Sequence, residues 1–176
     1  MSNPEYVILV NLDDEPLGQA EKIAAHQQAR CHRAFSVFIL RKTPRGDEIL
    51  LQQRHPSKYH CGGLWTNTCC GHPRPGEDTQ QAAQRRLYEE MGIKTLLTYL
   101  DKFHYIAEFD NGLTENEVDH VFYGYINEFD FKTNGDEVSD IQWLTIATLQ
   151  ENINNNPQDY TPWLEQALQI LIKLNS

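Results

Sequence analysis

Apolar positions fall along the chain in short alternating or continuous runs, with helical spacing only in two stretches. Residues 6–12 (YVILVNL) are nearly all apolar and read as a short buried strand. Asp13-Asp14-Glu15-Pro16-Leu17-Gly18 then reads as a turn. Residues 21–31 hold no firm period and are weakly helical or irregular. Residues 34–41 (AFSVFILR) form a clear strand, and Pro44-Arg45-Gly46-Asp47 turns it into another over 48–54. Residues 55–75 are rich in Gly, Pro, Cys and His. They are too irregular for one element and too apolar for a disordered linker, and loops of this kind often hold sites. Residues 76–92 (GEDTQQAAQRRLYEEMG) predict a helix, with Pro75-Gly76 before it, acids in its first turn and Gly92 as its stop. Strand-like segments follow at 99–109, 118–126 and 141–144, with a hairpin turn at Asn111-Gly112. Residues 163–174 (WLEQALQILIKL) predict a terminal helix after Thr161-Pro162. No repeat or linker interrupts this order. It predicts a single α/β (α+β) domain, a mixed β-sheet covered by helices.

Composition narrows the classes. A chain of 176 residues can bury one good core, and 40% hydrophobic with 23% charged residues is an ordinary globular balance. The apolar runs are far too short to span a bilayer. Met1-Ser2-Asn3-Pro4-Glu5 shows no basic region followed by an apolar stretch, so a cytoplasmic location is expected. The net charge of -10 disfavours nucleic acid and anionic membranes as partners. An anionic small molecule would need a local cluster of Lys, Arg or metal. Cys31, Cys61, Cys69 and Cys70 include no Cys-x-x-Cys pair, which argues against a zinc ribbon and a redox dithiol.

Three patterns suggest chemistry. The first runs from Gly71 through Glu77 and Arg85 to Arg86-Leu87-Tyr88-Glu89-Glu90-Met91-Gly92-Ile93. On a helix Arg86 and Glu90 share a face, as do Arg85 and Glu89. Such carboxylates can hold a hard cation that bridges to phosphates, or simply make ion pairs on a solvated face. The second is Trp65-Thr66-Asn67-Thr68-Cys69-Cys70-Gly71-His72-Pro73. If this segment is extended, Cys70 and His72 point to the same side. A thiol beside an imidazole can act as an acid, a nucleophile or a metal site; a buried structural Cys is the plainer reading. The third is Glu115-Asn116-Glu117, two carboxylates on one face of a strand. They could bind a metal together, one could move a proton, or both could flank a hairpin.

The first pattern resembles the Nudix box at every defined position except one: Arg86 stands where Nudix hydrolases have Glu. That exchange removes a metal ligand and adds a phosphate clamp. Taken with Trp-Thr-Asn-x-x-Cys-Gly-His-Pro and Glu-Asn-Glu-Val, it makes nearly the whole chain resemble the type I isopentenyl-diphosphate isomerases. The resemblance implies a Nudix-like mixed sheet sandwiched between helices and interconversion of isopentenyl and dimethylallyl diphosphate. It implies a Mn2+, Zn2+ or Mg2+ ion held by His26, His32, His72, Glu115 and Glu117, and Mg2+ bound with the substrate diphosphate at Glu90. Lys22, Arg54, Lys58 and Arg86 would contact the diphosphate. Cys70 and Glu117 would be the acid–base pair, either of them protonating, with Tyr105 beside the acid and Trp163 facing the hydrocarbon. No protein partner is implied. The rival readings are a Nudix hydrolase of a nucleoside diphosphate derivative, a non-catalytic diphosphate sensor and a structural zinc protein. Arg86 opposes the first, the full set of acids, bases and ligands opposes the second, and the third requires unfolding on metal removal.

Overall fold

A computed structural model of the chain describes residues 3–127 and 131–174. Its strands form one nine-stranded mixed sheet. The central strand is β3 (His32–Thr43), the most continuously buried run in the sequence. Along one edge it pairs in parallel with β8 (Thr114–Tyr125), from His32↔Glu117 to Leu40↔Tyr125. Along its other edge it meets three partners in turn. These are β1 (Tyr6–Val10) at His32, β6 (Cys69–Gly71) at Phe35 to Val37, and β4 (Gly46–Arg54) from Ile39 onward. β7 (Thr98–Glu108) pairs with β8, β9 (Val138–Thr145) and the two-residue β5 (Trp65–Thr66) pair with β4, and β2 (Pro16–Glu21) pairs with β1.

Alternation along β3 divides the core. Phe35, Val37 and Ile39 face α2 (Thr79–Met91) and pack with Ala82, Ala83, Leu87 and Met91. Phe38 and Leu40 face the opposite layer, with Leu149 and Ile153 of α3 (Ile146–Asn155) and Leu164, Leu168 and Leu171 of α4 (Leu164–Leu174). Each of the larger side chains among these is worth about 1.5–3 kcal/mol when fully buried, so both layers are firmly held. The sheet therefore lies between helices, as the sequence pattern indicates. Among the described residues no helix is long and apolar enough to cross a membrane.

Several elements differ from the expectation. The turn expected at 13–18 is tighter. Asn11 Oδ1 accepts from the amides of Asp13 and Glu15, Asp14 takes φ 69°, and Pro16–Glu21 is already strand β2. PLGQAE has no alternation because β2 is an exposed edge strand held by main-chain pairing to β1. The helix expected at 76–92 begins at Thr79. Its acids lie ahead of the first turn, where Asp78 caps it by accepting from the Gln81 amide at 3.0 Å. Gly92 ends it at φ 68°, as expected. Helix α3 was not expected. It is short, capped by Thr145, and buries only Leu149 and Ile153, too few apolar positions to mark a period. Strand β8 starts at Thr114, four residues before the expected 118, because Glu115 and Glu117 are buried acids that break the apolar pattern.

Candidate active site

Register brings the two glutamates to the histidines. β8 places Glu115, Glu117 and Asp119 on one face, all at most 4% exposed. The β3–β8 pairing sets His32 beside Glu117. α1 (Lys22–Gln27), capped by the Glu21 carboxylate, turns His26 inward, and His72 follows directly after β6. One ligand atom from each of His26, His32, His72, Glu115 and Glu117 lies within 4.8 Å of all the others.

Hydrogen bonds behind the rings test whether this set fits a cation. His26 Nδ1 is 2.6 Å from the Lys22 carbonyl, and His32 Nδ1 is 2.8 Å from the Arg30 carbonyl. A carbonyl only accepts, so both Nδ1 atoms bear the hydrogen. Their Nε2 atoms then face carboxylates, His26 toward Glu115 at 3.3 Å and His32 toward Glu117 at 3.2 Å. His26 Nε2 and one Glu115 oxygen are buried without a hydrogen-bond partner among the described residues. Burial, then the neighbouring Glu117 charge, raises the Glu115 carboxyl to about 8. Five nitrogen and oxygen donors thus converge on one point, and ring N–H groups tied to carbonyls are the usual support of metal-binding imidazoles. The donor set fits a divalent ion that accepts nitrogen and oxygen.

Glu117 also has a second set of neighbours. Tyr105 donates to its Oε2 at 2.5 Å, and His72 Nε2 is 2.7 Å from its Oε1. Burial works against ionisation of Glu117, but the facing His32 and His72 rings hold its carboxyl well below the usual range. Cys70 lies on the same side of the sheet. Its Sγ donates to Asn67 Oδ1 at 3.0 Å, and burial pushes the thiol up to about 12, so it keeps its proton at neutral pH. Cys69 points the other way and is fully buried against α2. Asn67 Oδ1 also accepts from Trp163 Nε1 at 3.2 Å and from Thr66 Oγ1 at 2.8 Å, so one amide aligns the thiol with the indole.

The cationic residues gather at the same opening. Arg86 pairs with Glu90, with Glu89 at 2.8 Å and with Glu137 at 3.6 Å. Lys58 pairs with Glu137, and Lys22 with Glu5 at 2.7 Å. The Arg54 guanidinium lies 5.6 Å from the Trp163 ring, and its buried Nε has no hydrogen-bond partner among the described residues. Glu90, 4% exposed, accepts from Gln52 at 2.9 Å on one oxygen and meets Arg86 on the other. A magnesium ion there would arrive with phosphate oxygens to complete its shell, and phosphate would draw Arg86 away. One cavity of about 550 Å³ is lined by every residue expected at the site except His26 and His32, which lie behind it.

Comparisons with known proteins show the family and the fold. Residues 31–164 match the NUDIX domain family. An isopentenyl-diphosphate Delta-isomerase of Photobacterium profundum is 46% identical over 96% of this chain and 94% of its own length. One from Aromatoleum aromaticum is 45% identical over 96% and 93%. The chain belongs to the type I isopentenyl-diphosphate isomerases. The isomerase shares its fold with the Deinococcus radiodurans protein DR0079, whose crystal structure superposes with a TM-score of 0.76 at 21% identity, over 94% of this chain and 98% of that one. The NUDIX domain of Shewanella oneidensis NrtR superposes with a TM-score of 0.62 at 16% identity, over 81% and 87%.

The isomerase sequence hides some of its site. Asp119 continues the Glu115–Glu117 alternation and was legible by period two; it accepts from Ser36 at 2.7 Å and lines the cavity. Asn67 stands inside the Trp-Thr-Asn motif, but nothing there shows that its amide reaches Cys70 and Trp163. Glu137 and His60 gave no signal. The first lies near the start of β9, and the second in the irregular stretch before β5.

Proposed function

We propose that this chain interconverts isopentenyl and dimethylallyl diphosphate, in isoprenoid biosynthesis, by adding a proton at C4 and removing one from C2. The observation that supports this best is the shared cavity, where four cations meet a protonated thiol, a buried carboxylate and an indole. Lys22, Arg54, Lys58 and Arg86 grip the diphosphate against the overall charge of -10. Adding the C4 proton leaves a tertiary cation at C3, and loss of a C2 proton forms the new double bond. Cys70 and Glu117 carry those two protons, and Asn67 and Tyr105 hold them in place. The Trp163 face shields the cation and contributes about 2 kcal/mol in a desolvated site. Walls that exclude water prevent its capture as an alcohol. When bound, an ion on His26, His32, His72, Glu115 and Glu117 supplies charge that tunes the Glu117 carboxyl, and magnesium at Glu90 neutralises the diphosphate.

Reaction in heavy water, followed by NMR, tests the reading. With isopentenyl diphosphate and magnesium present, dimethylallyl diphosphate is expected to accumulate with deuterium in its new methyl group. Release of phosphate without label on carbon points to hydrolysis and overturns it. No product at all leaves only a binding role.

A pH profile follows from Lys58. Burial pulls its ammonium down to about 8; Glu90 opposes the shift, and Arg54 and Arg86 add to it. The charge is present below that pH and lost above it. The expected kcat/KM therefore falls as pH rises through about 8, while kcat changes less. Lys58→Arg is expected to flatten this limb, because a guanidinium stays charged throughout. An unchanged limb in that variant would assign the titration to another group.

A further inference from the structure

His60 has no part in the arrangement described so far. It is 7% exposed, and neither ring nitrogen forms an ordinary hydrogen bond among the described residues. Its ring is fixed on three sides. It stacks on Phe109 at 5.2 Å and 5°, meets the edge of Tyr59 at 4.3 Å, and meets Trp163 at 6.1 Å. That clamp points Nε2 at Glu115, 2.5 Å from Oε1. The two atoms meet in a close polar contact, not in an aligned hydrogen bond. The other oxygen, Oε2, faces His26 Nε2 and has no hydrogen bond of its own. The two oxygens of Glu115 are thus divided, one toward His60 and one toward the five-residue cluster.

We propose that His60 is a positioning residue of the metal centre, holding one oxygen of Glu115 so that only the other reaches the ion. This rests on the reading that the His/Glu cluster binds a divalent cation. Its consequence is selectivity. A carboxylate limited to one oxygen suits a small six-coordinate ion such as manganese, zinc or magnesium. A carboxylate free to offer both suits calcium, which takes six to eight oxygen ligands. The aromatic clamp keeps the restraint in place whether or not an ion is bound.

Manganese binding to the full chain, freed of metal by chelation, can be titrated by the EPR signal of the free ion, alone and against calcium. His60→Phe keeps the aromatic wall and removes the ring nitrogen that meets Oε1. It is expected to weaken manganese binding about 10–100-fold, as loss of an outer partner usually does. It is also expected to lower the preference for manganese over calcium by roughly tenfold, as both Glu115 oxygens become available. His60→Gln keeps a polar group beside Oε1 and is expected to stay within about threefold of wild type, since the contact with that oxygen survives. Circular dichroism of the metal-free wild type and both variants checks that all three are folded. If His60→Phe matches wild type in both affinity and selectivity, the inference fails alone. If both variants weaken equally without a change in selectivity, His60 is only a packing residue and the inference also fails. If wild type binds no manganese, the metal-centre reading fails and takes this inference with it.

Discussion

Cys70→Ala is expected to lose isomerisation by about 10⁴-fold while remaining folded, the upper end for a positioned acid–base group. Cys70 is half-buried at the cavity, and its thiol bonds to Asn67 and more loosely to Thr66, contacts worth about 1 kcal/mol each at most in stability. In the proposed mechanism Cys70 carries a proton, and Ala has none to give or take. The neighbouring residue gives the opposite pattern. Cys69 is fully buried among Phe35, Ala83 and Leu87, so Cys69→Ala opens a small void and costs about 1 kcal/mol in stability, with activity kept within a few fold. Steady-state assays and thermal melts of the two variants separate the roles. An inactive Cys69→Ala with an active Cys70→Ala would mean that the β6 register is wrong.

Glu117→Gln is expected to lower kcat on a similar scale, about 10³–10⁴-fold. The amide keeps the shape of the carboxyl and can still accept from Tyr105, so the fold has little reason to change. It cannot carry the proton. It also removes a negative charge from a cluster that faces three imidazoles, so lower metal occupancy is expected alongside. Elemental analysis before and after loading with excess manganese distinguishes the two losses. Activity that returns to near wild type once the ion is restored would make Glu117 a ligand and nothing more.

The site was more legible than the fold at its edges. Cys70, His72, Glu115 and Glu117 stand in short motifs whose period-two spacing assigns each side chain a face, and the structure keeps those faces. The same acids obscured the beginning of β8, because a strand that buries Glu115 and Glu117 does not look apolar. Strand β2 and helix α3 were illegible for another reason. Each is held by neighbours, β2 by main-chain pairing to β1 and α3 by two buried residues against the sheet, and neither bears a period of its own.

His60 marks the limit of sequence reading. No spacing relates it to Glu115, 55 positions away, yet packing brings the two within 2.5 Å. The sequence by itself determined the layered sheet, the helix over the altered Nudix motif, and which residue types could move a proton or hold an ion. These follow from local periodicity and motif spacing, which depend on near neighbours in the chain. Only the tertiary structure decided which oxygen of Glu115 faces His26, which amide joins Cys70 to Trp163, and which acids hold Arg86 and Lys58. Those contacts depend on long-range register between strands and on how loops close over a cavity, and directional hydrogen bonds are satisfied only after that register is set.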